Sequence, residues 1–146
     1  MSSKRPSAKQ KRLVEARARW RCEYCLSPAA CSPQTFNVDH VVSVKCGGKT
    51  APDNLALACG CNGYKGHRIR ARDPQTKRLV AIFNPRRQKW SDHFAWSDDS
   101  LQIIGLTATG RATVAALRLN RPELVKLRRL LLAGGEHPPK ISESAN

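Results

Sequence analysis

The sequence predicts an α+β protein, because short segments with helical patterns and short segments with β-type patterns both occur along its 146 residues. Hydrophobic residues make up 40% of the chain and aromatic residues only 5%. The first half is rich in cysteine, glycine and basic residues. Small domains of such composition usually need a metal or disulfides for stability, so we expect the first half to be cross-linked.

The first half contains one cysteine-rich loop between regular segments. Good helix formers predict a helix at residues 9–20 with a basic outer face, and two prolines predict a loop at 22–35. Apolar and β-branched residues predict a strand at 36–44. A short apolar segment at 54–58 leads into a helix that we expect near 62–70.

The second half predicts further short strands and helices. Strands are expected at 79–83 and 101–106, and helices at 111–119 and 122–132. We expect the last helix to bury one face made by four leucines: Leu124, Leu127, Leu130 and Leu131. Three aromatic residues are expected in the core, with base stacking as the alternative: Trp90, Phe94 and Trp96.

The charge of the chain points to a polyanionic partner. Lys and Arg number 26 against 11 acids, a formal net charge of +15, whose self-repulsion such a partner would relieve. Residues 1–21 and 62–90 carry most of the excess, on either side of a nearly neutral segment at 22–61. This pattern favours nucleic acid as the partner. A membrane is disfavoured, because no long apolar run occurs.

The cysteines are arranged for metal binding. The chain lacks an apolar signal segment, which predicts a cytoplasmic protein with reduced thiols. Cys22 and Cys25 are separated by two residues and Cys59 and Cys61 by one, so the two pairs offer four ligands to a tetrahedral Zn²⁺. Four thiolates leave no open position for water, so this zinc would be structural. Because the second pair is closely spaced, an alternative ligand is one of three residues: Cys31, Cys46 or His67.

The Asp39-His40 pair is the candidate catalytic site. Hydrolysis of a phosphodiester needs a base that activates water and a cation that stabilises the developing charge. A neutral histidine suits the first role, while a carboxylate and an amide oxygen suit Mg²⁺. Asn54 and Asn62 are the candidate amides. The alternatives are a surface Asp with a core His, a turn residue at Asn54, and a helix cap at Asn62.

These residues together resemble the HNH endonucleases. The shared features occur in the family's order over residues 20–67: Cys22-x-x-Cys25, Asp39-His40, Gly47-Gly48, Asn54-Leu55, Cys61-Asn62 and Lys65-Gly66. Residues 73–132 also resemble the C-terminal part of a bacterial group of small HNH proteins. The resemblance implies a ββα-metal finger, in which two antiparallel strands and a helix enclose a catalytic cation.

The resemblance also implies roles for single residues. His40 would be the general base, Asp39 and Asn62 would bind catalytic Mg²⁺ or Mn²⁺, and Asn54 would orient the His40 ring through its backbone or its amide. Basic residues that we expect to contact nucleic acid are Lys65, Arg68, Arg86 and Arg87.

The chain would then consist of a basic arm and helix at 1–21, an HNH nuclease domain at 22–70 and a C-terminal α/β extension at 71–146. The function expected is hydrolysis of DNA. The alternatives are a zinc-stabilised nucleic-acid-binding protein without catalysis and a structural protein of a larger assembly.

Overall fold

A computed structural model describes residues 5–32 and 35–140, so the first residues of the expected basic arm lie outside the described part. Helix α1 spans Ala8–Arg17. It begins after Ser7, whose hydroxyl accepts from the Gln10 backbone N–H while the Gln10 side chain accepts from the Ser7 N–H. This reciprocal capping explains why the helix begins at this position. The helix predicted at 9–20 is confirmed, although it ends three residues earlier.

An antiparallel strand pair followed by a helix forms the central part of the fold. Strand β1 spans Asn37–His40 and strand β2 spans Leu55–Ala58, with His40 opposite Leu55. Every residue of β2 is buried. Helix α2, Cys61–Lys65, follows β2 after two residues. Because α1 contacts both strands, the pair is held against the N-terminal helix.

Two predicted elements in this region are shorter than the sequence indicated. The strand predicted at 36–44 ends at His40, because the Asn54 side chain bonds both the N–H and the C=O of Val42. The helix predicted at 62–70 ends at Lys65, since Gly66 adopts a positive φ of 59°. The residues that follow form strand β3, Arg70–Arg72, instead of a last helical turn.

The second half contains two more antiparallel pairs and three helices. Strand β3 pairs with β4, Leu79–Ala81, and β5, Phe94–Trp96, pairs with β6, Ile103–Gly105. The helices are α3, Trp90–His93, α4, Ala108–Ala116, and α5, Pro122–Ala133. The predicted strands and the two predicted helices are confirmed with shifted ends, and α3 was not predicted. Within 5–32 and 35–140, no helix has the length and apolarity needed to cross a membrane.

One hydrophobic cluster joins the two halves of the chain. It runs from Val14 of α1 through the cysteine residues to Leu124 of α5. The predicted aromatic core is confirmed: the Trp90 ring lies 5.1 Å from that of Phe94 and 5.5 Å from that of Trp96. The fold is therefore mixed α/β with three small antiparallel sheets that share a core.

The predicted apolar face of α5 is partly wrong. Leu124 and Leu131 are buried, but Leu130 is 65% exposed and Arg128 is only 2% exposed. The Arg128 guanidinium is accommodated because it donates to the carbonyls of Leu101 and Leu119. These hydrogen bonds offset part of the free-energy cost of burying the charge, so an arginine occupies a position on the face that the leucine pattern predicted to be apolar.

A buried ion pair stabilises the β3–β4 turn and links it to α4. The Arg111 guanidinium donates to both carboxylate oxygens of Asp73, at 3.0 and 2.9 Å, and Asp73 is fully buried. Thr76 and the Gln75 backbone donate to the same carboxylate. The Arg111 hydrogen bonds lower the pKa of Asp73 far below its usual range, which burial opposes.

We expect Asp73→Asn to lower Tm at neutral pH by about 5 °C. Because the Asp73 pKa is lower in the folded state, its contribution is present above the unfolded pKa of about 4 and is lost as pH falls towards the folded value. The gap in Tm between wild type and variant should therefore narrow from about pH 5 to about pH 2. Asp98→Asn, at an exposed position, is the control. A difference in Tm between wild type and variant that stays constant over this pH range would contradict a stabilising Asp73–Arg111 ion pair.

Candidate metal centre and active site

The structure brings the two cysteine pairs together. The sulfur atoms of all four cysteines lie within 4.8 Å of one another: Cys22, Cys25, Cys59 and Cys61. The first pair lies in the turn after α1, Cys59 directly follows β2, and Cys61 is the first residue of α2. A metal held here would join the N-terminal turn to the end of the strand pair and to the start of the helix.

The donor set fits a structural zinc ion. The Sγ atom of Cys59 lies 3.5 Å from that of Cys25 and 3.4 Å from that of Cys61, as ligands of one ion would. Hydrogen bonds from the other three thiols lower the pKa of Cys59, whereas burial raises the pKa of Cys22. Four soft, mostly buried thiol ligands at this spacing are typical of tetrahedral zinc.

Cys31, Cys46 and His67 do not take part in the cluster. Cys31 and Cys46 are exposed, and the Cys46 thiol donates to the His67 carbonyl at 3.4 Å. The short Cys59-Gly60-Cys61 pair therefore completes the set of four without a substitute ligand.

Arg121, which the sequence did not indicate, contacts the cluster from the C-terminal half. It precedes α5 and donates to the sulfur of Cys61 at 3.4 Å and to that of Cys59 at 3.6 Å. Burial tends to lower the pKa of Arg121, but the bonds to the two cysteines outweigh it and raise the pKa. Its guanidinium also lies over the Tyr64 ring of α2, 5.2 Å from the centroid. The positive charge offsets part of the negative charge of a tetrathiolate centre.

Asp39 is half-buried between the strand pair and α2. Burial raises its pKa, while the nearby charges of His40 and Lys65 lower it. Lys65 is the last residue of α2 and is 2% exposed. Its Nζ donates to the Val41 carbonyl at 2.6 Å, and burial lowers its pKa. This arrangement places the carboxylate of Asp39 near a buried ammonium group of α2.

His40 is held by a residue that the sequence analysis did not select. Its Nε2 lies 2.8 Å from the Thr50 hydroxyl, so the two form a hydrogen bond. A hydrogen bond at one ring nitrogen sets the tautomer and the orientation of the ring. The other ring nitrogen then determines what chemistry the histidine can perform.

Asn54 organises the loop that follows His40. Its side chain accepts from the Val42 N–H and donates to the carbonyls of Val42 and Lys49, each at 2.9 Å. The Asn54 carbonyl also accepts from the Val41 N–H at 2.8 Å. Gly48 is required here, since a Cβ would lie 1.8 Å from the Val42 oxygen. Asn54 thus acts on the backbone beside His40 and not on the ring itself.

Asn62 lies on the first turn of α2, between Cys61 and Gly63, and is partly exposed. Its backbone N–H donates to the Cys59 carbonyl at 3.4 Å and its carbonyl accepts from Gly66. The helix therefore places the Asn62 side chain directly after a cluster cysteine, at the end of α2 opposite Lys65.

The four basic residues expected to contact nucleic acid differ in exposure. Lys65 is buried as described, and Arg86 is 10% exposed because it forms an ion pair with Glu23. Arg68 is exposed, but it donates to the carbonyls of Tyr64 and Lys65. Arg87 is exposed. Lys65 and Arg86 therefore have partners within the protein, the Val41 carbonyl and Glu23, which the sequence did not indicate.

Comparison with known proteins identifies the segment that contains these features. Residues 22–68 match the family model described as HNH endonuclease. The match begins at Cys22 and includes both cysteine pairs, β1, β2 and α2. No curated protein and no solved structure matches the chain.

Proposed function

Since residues 22–68 are an HNH endonuclease domain by their family match, we propose that the protein is a metal-dependent DNA endonuclease with His40 as its general base. The observation that carries this proposal is the position of Asp39 and His40 at the end of β1, within the matched segment, with Lys65 of α2 close enough to lower the pKa of Asp39. The order of strand, strand and helix supports a ββα-metal finger over β1, β2 and α2.

In this proposal His40 accepts the proton of the attacking water. The Nε2–H donates to the Thr50 hydroxyl in this role, so that Nδ1 keeps its lone pair and accepts the proton. Asn54 keeps the backbone after His40 in place through its three bonds to Val42 and Lys49. Thr50 and Asn54 are therefore positioning residues.

Asp39 and Asn62 would hold the catalytic divalent cation with oxygen ligands, which suit Mg²⁺ or Mn²⁺. When bound, such a cation stabilises negative charge on the phosphate and on the leaving oxygen. The positive charge of Lys65 lowers the pKa of Asp39, whereas burial raises it, so Lys65 favours the ionised form of this carboxylate.

The cysteine cluster would bind one Zn²⁺ that has a structural role. Its four thiolates fill a tetrahedral shell, so the ion has no position for water and contributes no acid or base. Cys61 and Asn62 are adjacent, and so the zinc would set where α2 places Asn62 relative to Asp39.

Nicking of a supercoiled plasmid tests the function. We expect the zinc-loaded full chain to convert plasmid to open-circular and linear forms with Mg²⁺ or Mn²⁺, and to leave it intact without either. Asp39→Asn should reduce cleavage strongly and raise the metal concentration needed, while Asp98→Asn, at an exposed position outside the matched segment, should not. DNA binding without cleavage under every divalent cation would instead support a zinc-stabilised nucleic-acid-binding protein without catalysis.

A further inference from the structure

A cleft on the α1 side of the strand pair concentrates positive charge. It has a volume of about 660 Å³ and lies between the end of α1 and the segment that leads into α3. Seven Arg and Lys side chains line it against two acids. We call it the basic cleft; its cations include Arg17, Arg19, Arg21, Arg86, Arg87 and Lys89.

The charges inside the basic cleft are not balanced by the protein. Glu23 pairs with Arg86, but its other carboxylate oxygen already accepts from the Leu57 N–H at 2.9 Å. Burial and the proximity of Arg17 lower the pKa of Arg86 to about 10. The positive charge of Arg17 thus adds to that of Arg86 in a cleft with few acids, and an external anion would offset this excess.

Buried donors without partners also line the cleft. Among the residues that the structure describes, the Nε atoms of Arg17 and Arg86 are buried and have no hydrogen-bond partner. These atoms are enclosed by the protein, so the exposed cations around them are the ones that face a ligand. The apolar side chains of Phe83 and Trp90 line the same cleft, and low-polarity walls strengthen the field of the cations.

The basic cleft adjoins the candidate active site through the strand pair. The Arg17 guanidinium donates to the Leu55 carbonyl at 2.9 Å, and Leu55 is the residue opposite His40 in β2. Asp53, which lines the cleft, directly precedes Asn54. The Arg17 side chain of the cleft is therefore bonded to the strand that pairs with the one carrying His40.

We propose that the basic cleft is a second binding site for the DNA backbone, at which Arg19, Arg87 and Lys89 contact phosphates away from the scissile bond. The identity of the polyanion rests on the proposed function. Arg17 and Arg86 form the base of this site, because Arg17 bonds backbone carbonyls and Arg86 is paired with Glu23. The exposed cations at residues 19, 87 and 89 are available to the ligand.

The test measures DNA affinity as a function of salt, using the zinc-loaded full chain with His40→Ala so that the DNA stays intact. Arg87→Ala with Lys89→Ala should weaken binding of a labelled duplex roughly tenfold and reduce the slope of log K against log salt by about 2. The matched control is Lys126→Ala with Arg129→Ala, which removes the same charge from exposed positions of α5. Equal effects of the two pairs would overturn the proposal.

Two further probes distinguish other sources of the anion. Inorganic phosphate and vesicles that contain phosphatidylserine should each bind without dependence on Arg87 and Lys89. If binding of phosphate or of vesicles depends on Arg87 and Lys89 and binding of the duplex does not, the cleft is not a DNA site. Failure of the nuclease proposal is separable, since cleft-dependent DNA binding without cleavage by wild type would leave this site standing.

Discussion

Cys59→Ser is expected to remove the bound zinc and with it the folded state of the matched segment. Metal analysis of the wild-type chain should find about one zinc per chain, and the variant should contain far less. The cluster links the turn at Cys22 to the start of α2, and so its loss should release both. For small metal-dependent folds, the apparent free energy of zinc binding is about 10–16 kcal/mol, which exceeds the whole stability of most domains.

The control for this variant uses the same chemical change outside the cluster. Cys46→Ser, at an exposed position, should keep the zinc and the Tm of wild type. Circular dichroism and thermal melting with and without a chelator provide the readout. A Cys59→Ser protein that retains one zinc and an unchanged melting curve would refute the cysteine centre.

Arg121→Ala should retain the zinc but lose it to a chelator about 10–100 times faster, because the positive charge beside the Cys59 and Cys61 sulfurs is gone.

His40→Ala is expected to reduce plasmid cleavage by about 10²–10⁴-fold, the usual contribution of a positioned general base. DNA affinity should remain within about twofold of wild type, because phosphate contacts supply most of the binding energy. Zinc content and the melting curve should also remain, since His40 is at the end of β1 and outside the cysteine cluster. Single-turnover cleavage at saturating protein separates the chemical step from binding.

His93→Ala is the matched control for His40→Ala. His93 also bonds a threonine hydroxyl, that of Thr107 at 2.6 Å, but it lies in the second half of the chain. The control therefore removes a His–Thr hydrogen bond without touching the candidate site. Cleavage by His40→Ala at the rate of His93→Ala would exclude His40 as the base.

Local signals in the sequence were sufficient for several elements of the fold. Pro122 begins α5 at the first helical position, where proline costs no hydrogen bond, and the boundary was predicted correctly. The element ends that were mispredicted depend on contacts with distant residues. Asn54, just before β2, ends β1 through its bonds to Val42, and the residues after Gly66 pair with β4 instead of continuing the helix.

By itself the sequence determined the ligand chemistry of this protein. Thiols in two closely spaced pairs and an Asp-His pair followed by two asparagines restrict the possible metals and reactions, because softness and proton affinity are properties of the side chains. Only the tertiary structure decided which groups are free to use that chemistry. Burial places Lys65 near Asp39, Arg86 against Glu23 and Arg128 inside the core, whereas the sequence predicted nucleic-acid contacts for Lys65 and Arg86 and no role for Arg128. The physical reason is that burial and pairing depend on contacts between residues far apart in the chain, and a charge is inside only where such partners offset the loss of water.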